Sequence, residues 1–160
     1  MPRHSSEPYF FAERVESEIK AHFDEAFKVF ESKRSWKQQI LFELLGPMVM
    51  QFERTKRAFT RWDKKSLYLE AKVVREGNLA IRDLLLGKGH LIPPHLMADA
   101  ASLIEHYDAW LEEFDAIRGG SASGDAEYVF VGPKGYGFPG EAETHFKEEF
   151  RKVQHDLYDV

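Results

Sequence analysis

Apolar residues recur along most of this chain at steps of three and four, the period that places them on one face of an α-helix. From about Pro8 to Ser32 the positions Phe11, Val15, Ile19, Phe23, Ala26 and Phe30 make one such face, helix A, and Pro8 suits a first helical turn. Helix B starts near Ser35. Ser35 with Gln38 forms a capping box, in which each side chain satisfies an orphan amide of the first turn. Its stripe is Trp36, Ile40, Leu44, Met48, Phe52, Phe59 and Trp62. Gly46-Pro47 predicts a kink or short break, because proline has no amide proton and its ring clashes with the preceding turn. Helix C begins at Asp63 or Ser66, carries Leu67, Ala71, Val74, Asn78, Ile81 and Leu85, and ends at Gly87-Lys88-Gly89, where glycine permits a left-handed cap. His90 to Pro94 is an extended link, since a residue before proline is excluded from helical geometry. Helix D opens at Pro94. Leu96, Ala100, Leu103, Tyr107, Trp110, Phe114 and Ile117 form its stripe, flanked by Ile104 and Leu111, and it stops at Gly119-Gly120.

Residues 121–126 are a polar loop, and Tyr128-Val129-Phe130-Val131 is strand-like. Gly132 to Gly140 is too rich in turn formers to be regular. Helix E runs from Glu141 to about Tyr158, with Ala142, Phe146, Phe150, Val153 and Leu157 inward. One apolar face per helix and short links predict an all-α fold: an antiparallel bundle of four to five helices in a single domain, 1–160. A short irregular β-like insertion, about 127–140, precedes the C-terminal helix. A lone strand has no independent stability, so it must lie on the bundle, pair with the Gly-rich loop, or pair with another copy.

Composition agrees with a packed chain. Of 160 residues, 43% are hydrophobic and 31% charged, and thirteen Phe with three Trp supply bulky core material. There is no cysteine, which excludes disulfides, a thiolate nucleophile and Cys-based zinc sites, and suits the cytoplasm. The N-terminus has no apolar run of a signal peptide, and no stretch approaches the ~18 apolar residues of a membrane span. No membrane association is expected.

The whole chain carries −5, which argues against nucleic acid over its whole surface. A local exception is a basic stripe, Arg54, Arg57, Arg61 and Lys65. From Glu53 to Lys65 there are six basic and two acidic residues, net +4, which leaves −9 for the remainder. The stripe is either the wet face of helix B or a phosphate-contacting surface.

Polar residues inside apolar stripes carry most of the candidate chemistry. Asn78 lies mid-stripe on helix C, His22 lies within the stripe of helix A, and His106, with Asp99, edges that of helix D. A buried amide or imidazole without partners costs about 1–3 kcal/mol, so these groups must meet each other, water or a ligand. One reading is a satisfied polar pair that pins helix register. The other is a ligand-binding pocket between helices built from His22, Asn78, Arg82 and His106. Glu18/His22 and Glu141/His145 stand one helical turn apart, yet no HExxH, HxxxH or Glu-x-x-His is present, so no metal is expected.

Glu13-x-x-Glu16, Glu105-x-x-Asp108 and Glu112-x-x-Asp115 resemble fragments of the magnesium-holding motifs of all-α nucleoside-triphosphate pyrophosphatases. The first lies far along the chain from the others, and the helix D pairs point away from the apolar stripe, as a solvated face does. The helical build broadly resembles HEPN bundles, whose Arg-x4–6-His ribonuclease motif has no counterpart here. Seven residues separate Arg82 from His90 and three separate Arg151 from His155. The loop 132–140 spells no phosphate-binding motif. Its Lys134, Tyr136 and Phe138 suit a partner-binding surface, unless both rings pack back onto the bundle.

No catalytic residue emerges, and no cofactor is expected. The leading expectation is a non-enzymatic interaction or regulatory module that self-associates as a dimer or binds another protein. The alternatives are a helical-bundle enzyme or small-molecule binder with an inter-helix polar site, and a nucleic-acid-associated protein using the basic stripe.

Overall fold

The computed structural model describes residues 7–61, 66–120, 130, 132 and 136–160, with side chains from residue 14 onward. Contacts divide the chain into two compact units, Met1–Lys37 and Gln38–Val160.

The first unit is built by α1, Glu7–Ile40. It runs without interruption through Ser32 to Ser35, where the sequence predicts one helix to end and another to be capped. That stretch holds no Gly or Pro, and Lys33 and Arg34 are good helix formers, so nothing stops the helix. The face expected to be inward is exposed instead: Ile19 is 64%, Phe23 69% and Phe30 58% accessible. His22 is likewise exposed, which corrects its expected place as a buried polar group. Periodicity defines an apolar face; it does not supply what covers it.

The second unit begins with the last three residues of α1, Gln38 to Ile40, followed by a π-helical turn, Leu41–Leu45, that leads into α2, Gly46–Thr60. The widened turn is the local answer to Gly46-Pro47. The Gly46 amide donates to the Leu41 carbonyl, one residue further back than in an α-helix, and Pro47 occupies the first turn of α2 where no amide is needed. The chain therefore bulges and does not break. A Cβ at Gly46 would stand 2.9 Å from that carbonyl, so glycine is required there. Trp62 and Lys65 of the expected helix B lie outside the described residues.

Ser66 caps the next run, its Oγ accepting from the Leu69 amide at 3.3 Å. A short α3, Leu67–Leu69, passes through a second π-helical stretch, Glu70–Arg75, into α4, Glu76–Gly87. The exit differs from expectation: Lys88 has φ −113°, and the chain turns into 3-10 turns at Gly89–Leu91 and Pro94–Leu96. The left-handed cap appears instead at Gly119, φ +60°, after α5, Met97–Arg118. The last helix, α6, spans Gly140–Tyr158.

Cross-helix pairs fix the arrangement. Glu70 meets Arg118, Arg75 meets Asp115 and Arg82 meets Asp108, so numbers rise along the second π stretch and α4 as they fall along α5. Asp99–His145 and His95–Glu149 do the same between α5 and α6. α2 packs on both α4 and α6, closing a four-helix antiparallel ring. Ile40, Leu44, Met48, Ile81, Leu85, Leu103 and Phe146 fill its core. Ile117 of the helix D stripe is an exception, exposed near the last turn. A second apolar cluster centres on Trp110 and Phe114. Phe130 packs on both rings at 5.2 and 5.6 Å and so pins the insertion to α5. Among the described residues the insertion holds no strand; Tyr128, Val129 and Val131 lie outside them.

Candidate functional site

Between α2, α4, α5, the insertion and α6 lies a cavity of about 540 Å³. Each wall follows from a helical period already described. Two turns of α2 deliver Phe52, Thr55, Lys56 and Phe59; the end of the second π stretch and the start of α4 deliver Val74 and Asn78. His106, Tyr107 and Trp110 come from one turn of α5, Phe130 and Phe138 from the insertion, and Glu143 from α6. Asn78 and His106, the two polar residues set inside apolar stripes, thus face one space. Gly77 lets α4 approach α2: a Cβ there would stand 2.8 Å from Thr55 Oγ1. Among the described residues Thr55 Oγ1 and Gln51 Oε1 are buried without a hydrogen-bond partner.

His106 is fixed from two sides. Its Nδ1 lies 2.9 Å from the Tyr136 carbonyl, which only accepts, so Nδ1 carries the proton and Nε2 is the acceptor of the neutral ring. Phe138 meets the imidazole edge-on at 5.4 Å. Burial pushes the His106 pKa down, and the backbone contacts with Tyr136 and Gly137 offset this only in part. Burial also holds the Tyr107 phenol protonated well above its ordinary range, and the Glu143 carboxylate adds to the effect. Glu143 is tied to Lys147, which also donates to Glu53 at 2.7 Å. Burial alone would lower the Lys147 pKa; those two bonds outweigh it and raise it.

Other expected site residues lie elsewhere. Arg82 binds Asp108 and Asp83 and does not line the cavity. His22 belongs to the other unit. Phe138 lines the cavity, whereas Tyr136 borders a separate groove with Ile104 and Glu105; Lys134 lies outside the described residues. In the basic stripe, Arg54 donates to the Lys72 carbonyl at 3.0 Å, a helix-to-helix tie. Arg57 and Arg61 are exposed, and Lys65 lies outside the described residues. Lys56, which the stripe passes over, is the basic residue of α2 that reaches the cavity.

Sequence reasoning missed a buried ion pair next to the site. Arg118 Nε donates to Glu70 Oε1 at 2.6 Å and Nη2 to Oε2 at 3.2 Å, with both side chains almost fully enclosed. The guanidinium also lies 5.4 Å from the Phe130 ring centre, so the pair helps to hold the aromatic wall. The one signal was position: Glu70 stands four residues before Val74, on the apolar face of helix C.

Among the described residues no group of three or more His, Asp or Glu side chains is placed to hold a metal ion. No described helix is long and apolar enough to cross a membrane. Comparison with known protein families, curated proteins and solved structures finds no match to this chain.

Proposed function

We propose that the chain is a non-enzymatic ligand-binding module whose cavity takes a small, flat, mostly apolar molecule with a polar edge. The observation that carries this reading is the convergence of Asn78 and His106, from two helices, on one aromatic-walled cavity of about 540 Å³. Small-molecule sites have that form: roughly 300–1,000 Å³, apolar walls and a few convergent polar groups. Phe52, Phe59, Trp110 and Phe138 offer faces for a planar body. Asn78 offers both a donating NH2 and an accepting carbonyl oxygen, and Lys56 suits a weakly anionic substituent. The polar groups favour holding over reacting. His106 is oriented by a carbonyl and not by a carboxylate, and Tyr107 keeps its proton tightly. An interaction or regulatory role in the cytoplasm fits the same reading, with ligand occupancy as its input.

A direct test titrates the purified chain with 1-anilinonaphthalene-8-sulfonate, an apolar aromatic anion. Saturable one-to-one binding is expected. Asn78→Leu and Phe138→Ala should each weaken it about tenfold, the equivalent of ~1.4 kcal/mol. Phe23→Glu, on the exposed face of α1, should leave it unchanged. Affinity that survives both cavity substitutions, or falls with Phe23→Glu alone, would overturn the assignment.

A further inference from the structure

We infer that the apolar face of α1 is a seam for a second copy of this chain, packed antiparallel. At 100° per residue, Val15, Ile19, Phe23, Ala26, Phe27, Val29 and Phe30 share one side of the helix. All but Ala26 are large hydrophobics, and these stand exposed, with Phe23 and Phe27 stacked at 6.4 Å. Residues 14–37 extend for about 36 Å, roughly three heptads, which is the scale of a paired-helix seam. A contiguous apolar stripe of this kind marks an association surface.

The charges choose the occupant. Residues 7–25 hold six acidic and two basic side chains, and residues 26–37 hold one acidic and four basic. The helix is therefore −4 along its first part and +3 along its second. Macrodipole compensation accounts only for the terminal turns, whereas Glu16 and Arg34 lie inward of those turns and flank the apolar stripe. Antiparallel pairing sets the acidic part of each copy against the basic part of the other; parallel pairing sets like against like. Pairing about Glu25 brings Phe23 beside Phe27 of the second copy, Ile19 near Phe30, and Glu16 opposite Arg34. A lipid surface fits less well, since helices that lie on membranes carry an excess of Lys and Arg, and here residues 14–37 hold five acidic and six basic residues. The two-fold arrangement uses one surface twice, as isologous dimers do.

Sedimentation equilibrium on the full chain tests this. The expected mass is twice 18.6 kDa, and Ile19→Glu with Phe23→Glu should return it to 18.6 kDa with unchanged far-UV circular dichroism. The chain has no cysteine, so single thiols report orientation. With a short bis-maleimide, Ala26→Cys should cross-link to itself near the two-fold axis. Glu16→Cys and Arg34→Cys, at the edge of the stripe, should each fail alone and cross-link when mixed. A monomer at all concentrations, a dimer indifferent to the Glu substitutions, or Glu16→Cys cross-linking to itself would each overturn the proposal. So would a monomer that binds phosphatidylcholine–phosphatidylserine vesicles through the same stripe.

Discussion

His106 and His145 show opposite couplings between protonation and stability. Burial holds the His106 pKa below its unfolded value near 6.5, so between the two values the unfolded chain binds the extra proton. Its neutral form is fully favourable above about 6.5, and stability falls as pH drops through that value towards the folded one. His145 runs the other way: the Asp99 carboxylate, bonded at 2.9 Å, raises its pKa. That contribution is present below the unfolded value and is lost as pH rises through the folded one. His145 is half exposed, so solvent screens it and the His106 effect should dominate. The urea midpoint is therefore expected to fall between pH 7 and pH 5. His106→Asn, which keeps a donor for the Tyr136 carbonyl without a titrating ring, should flatten that dependence; an unchanged slope would assign it elsewhere. At this scale much of the site was legible. Asn78 and His106 stood out because a polar residue within an apolar stripe must answer for its burial. The Glu70–Arg118 pair did not, because nothing local announces which distant cation a carboxylate will meet.

At the scale of elements, the sequence located the disturbances better than their form. Gly46-Pro47 signalled a break, and a π-helical turn absorbed it, because widening the turn removes the clash while keeping the helix hydrogen-bonded. The glycines separate on the same grounds. In an exposed helix interior, replacing Gly by Ala stabilises by about 0.8–1 kcal/mol. Gly46→Ala should instead destabilise, by about 1–3 kcal/mol, since its Cβ would press on the Leu41 carbonyl at 2.9 Å and the backbone must move. Gly87→Ala, with nothing within 4 Å, should be neutral or stabilising. Equal effects of the two in chemical denaturation would mean that the π turn tolerates a side chain.

Taken as a whole molecule, the chain concentrates its buried apolar surface between Gln38 and Val160, while α1 keeps an apolar face exposed. The two faces have the same period and the same residue types, so denaturation has to tell them apart. Trp110→Ala should cost about 3–5 kcal/mol, because the ring is buried against Phe114 and Phe130. Phe23→Glu should leave the urea midpoint unchanged in dilute solution, where dimers dissociate. A comparable loss from both would place Phe23 in the folded core.

The sequence by itself determined the all-α fold, the inward stripes of α4, α5 and α6, and the placing of Asn78 and His106 within those stripes. These follow from local period and from the cost of burying a polar group, and both are written in short stretches of chain. Only the tertiary structure decided that the α1 face is exposed, that Glu70 pairs with Arg118, and that Asn78 and His106 share a space from which Arg82 is absent. Those outcomes depend on which helix lies beside which. Periodicity marks the face a helix offers, and the neighbour that takes it is set by packing across the whole fold.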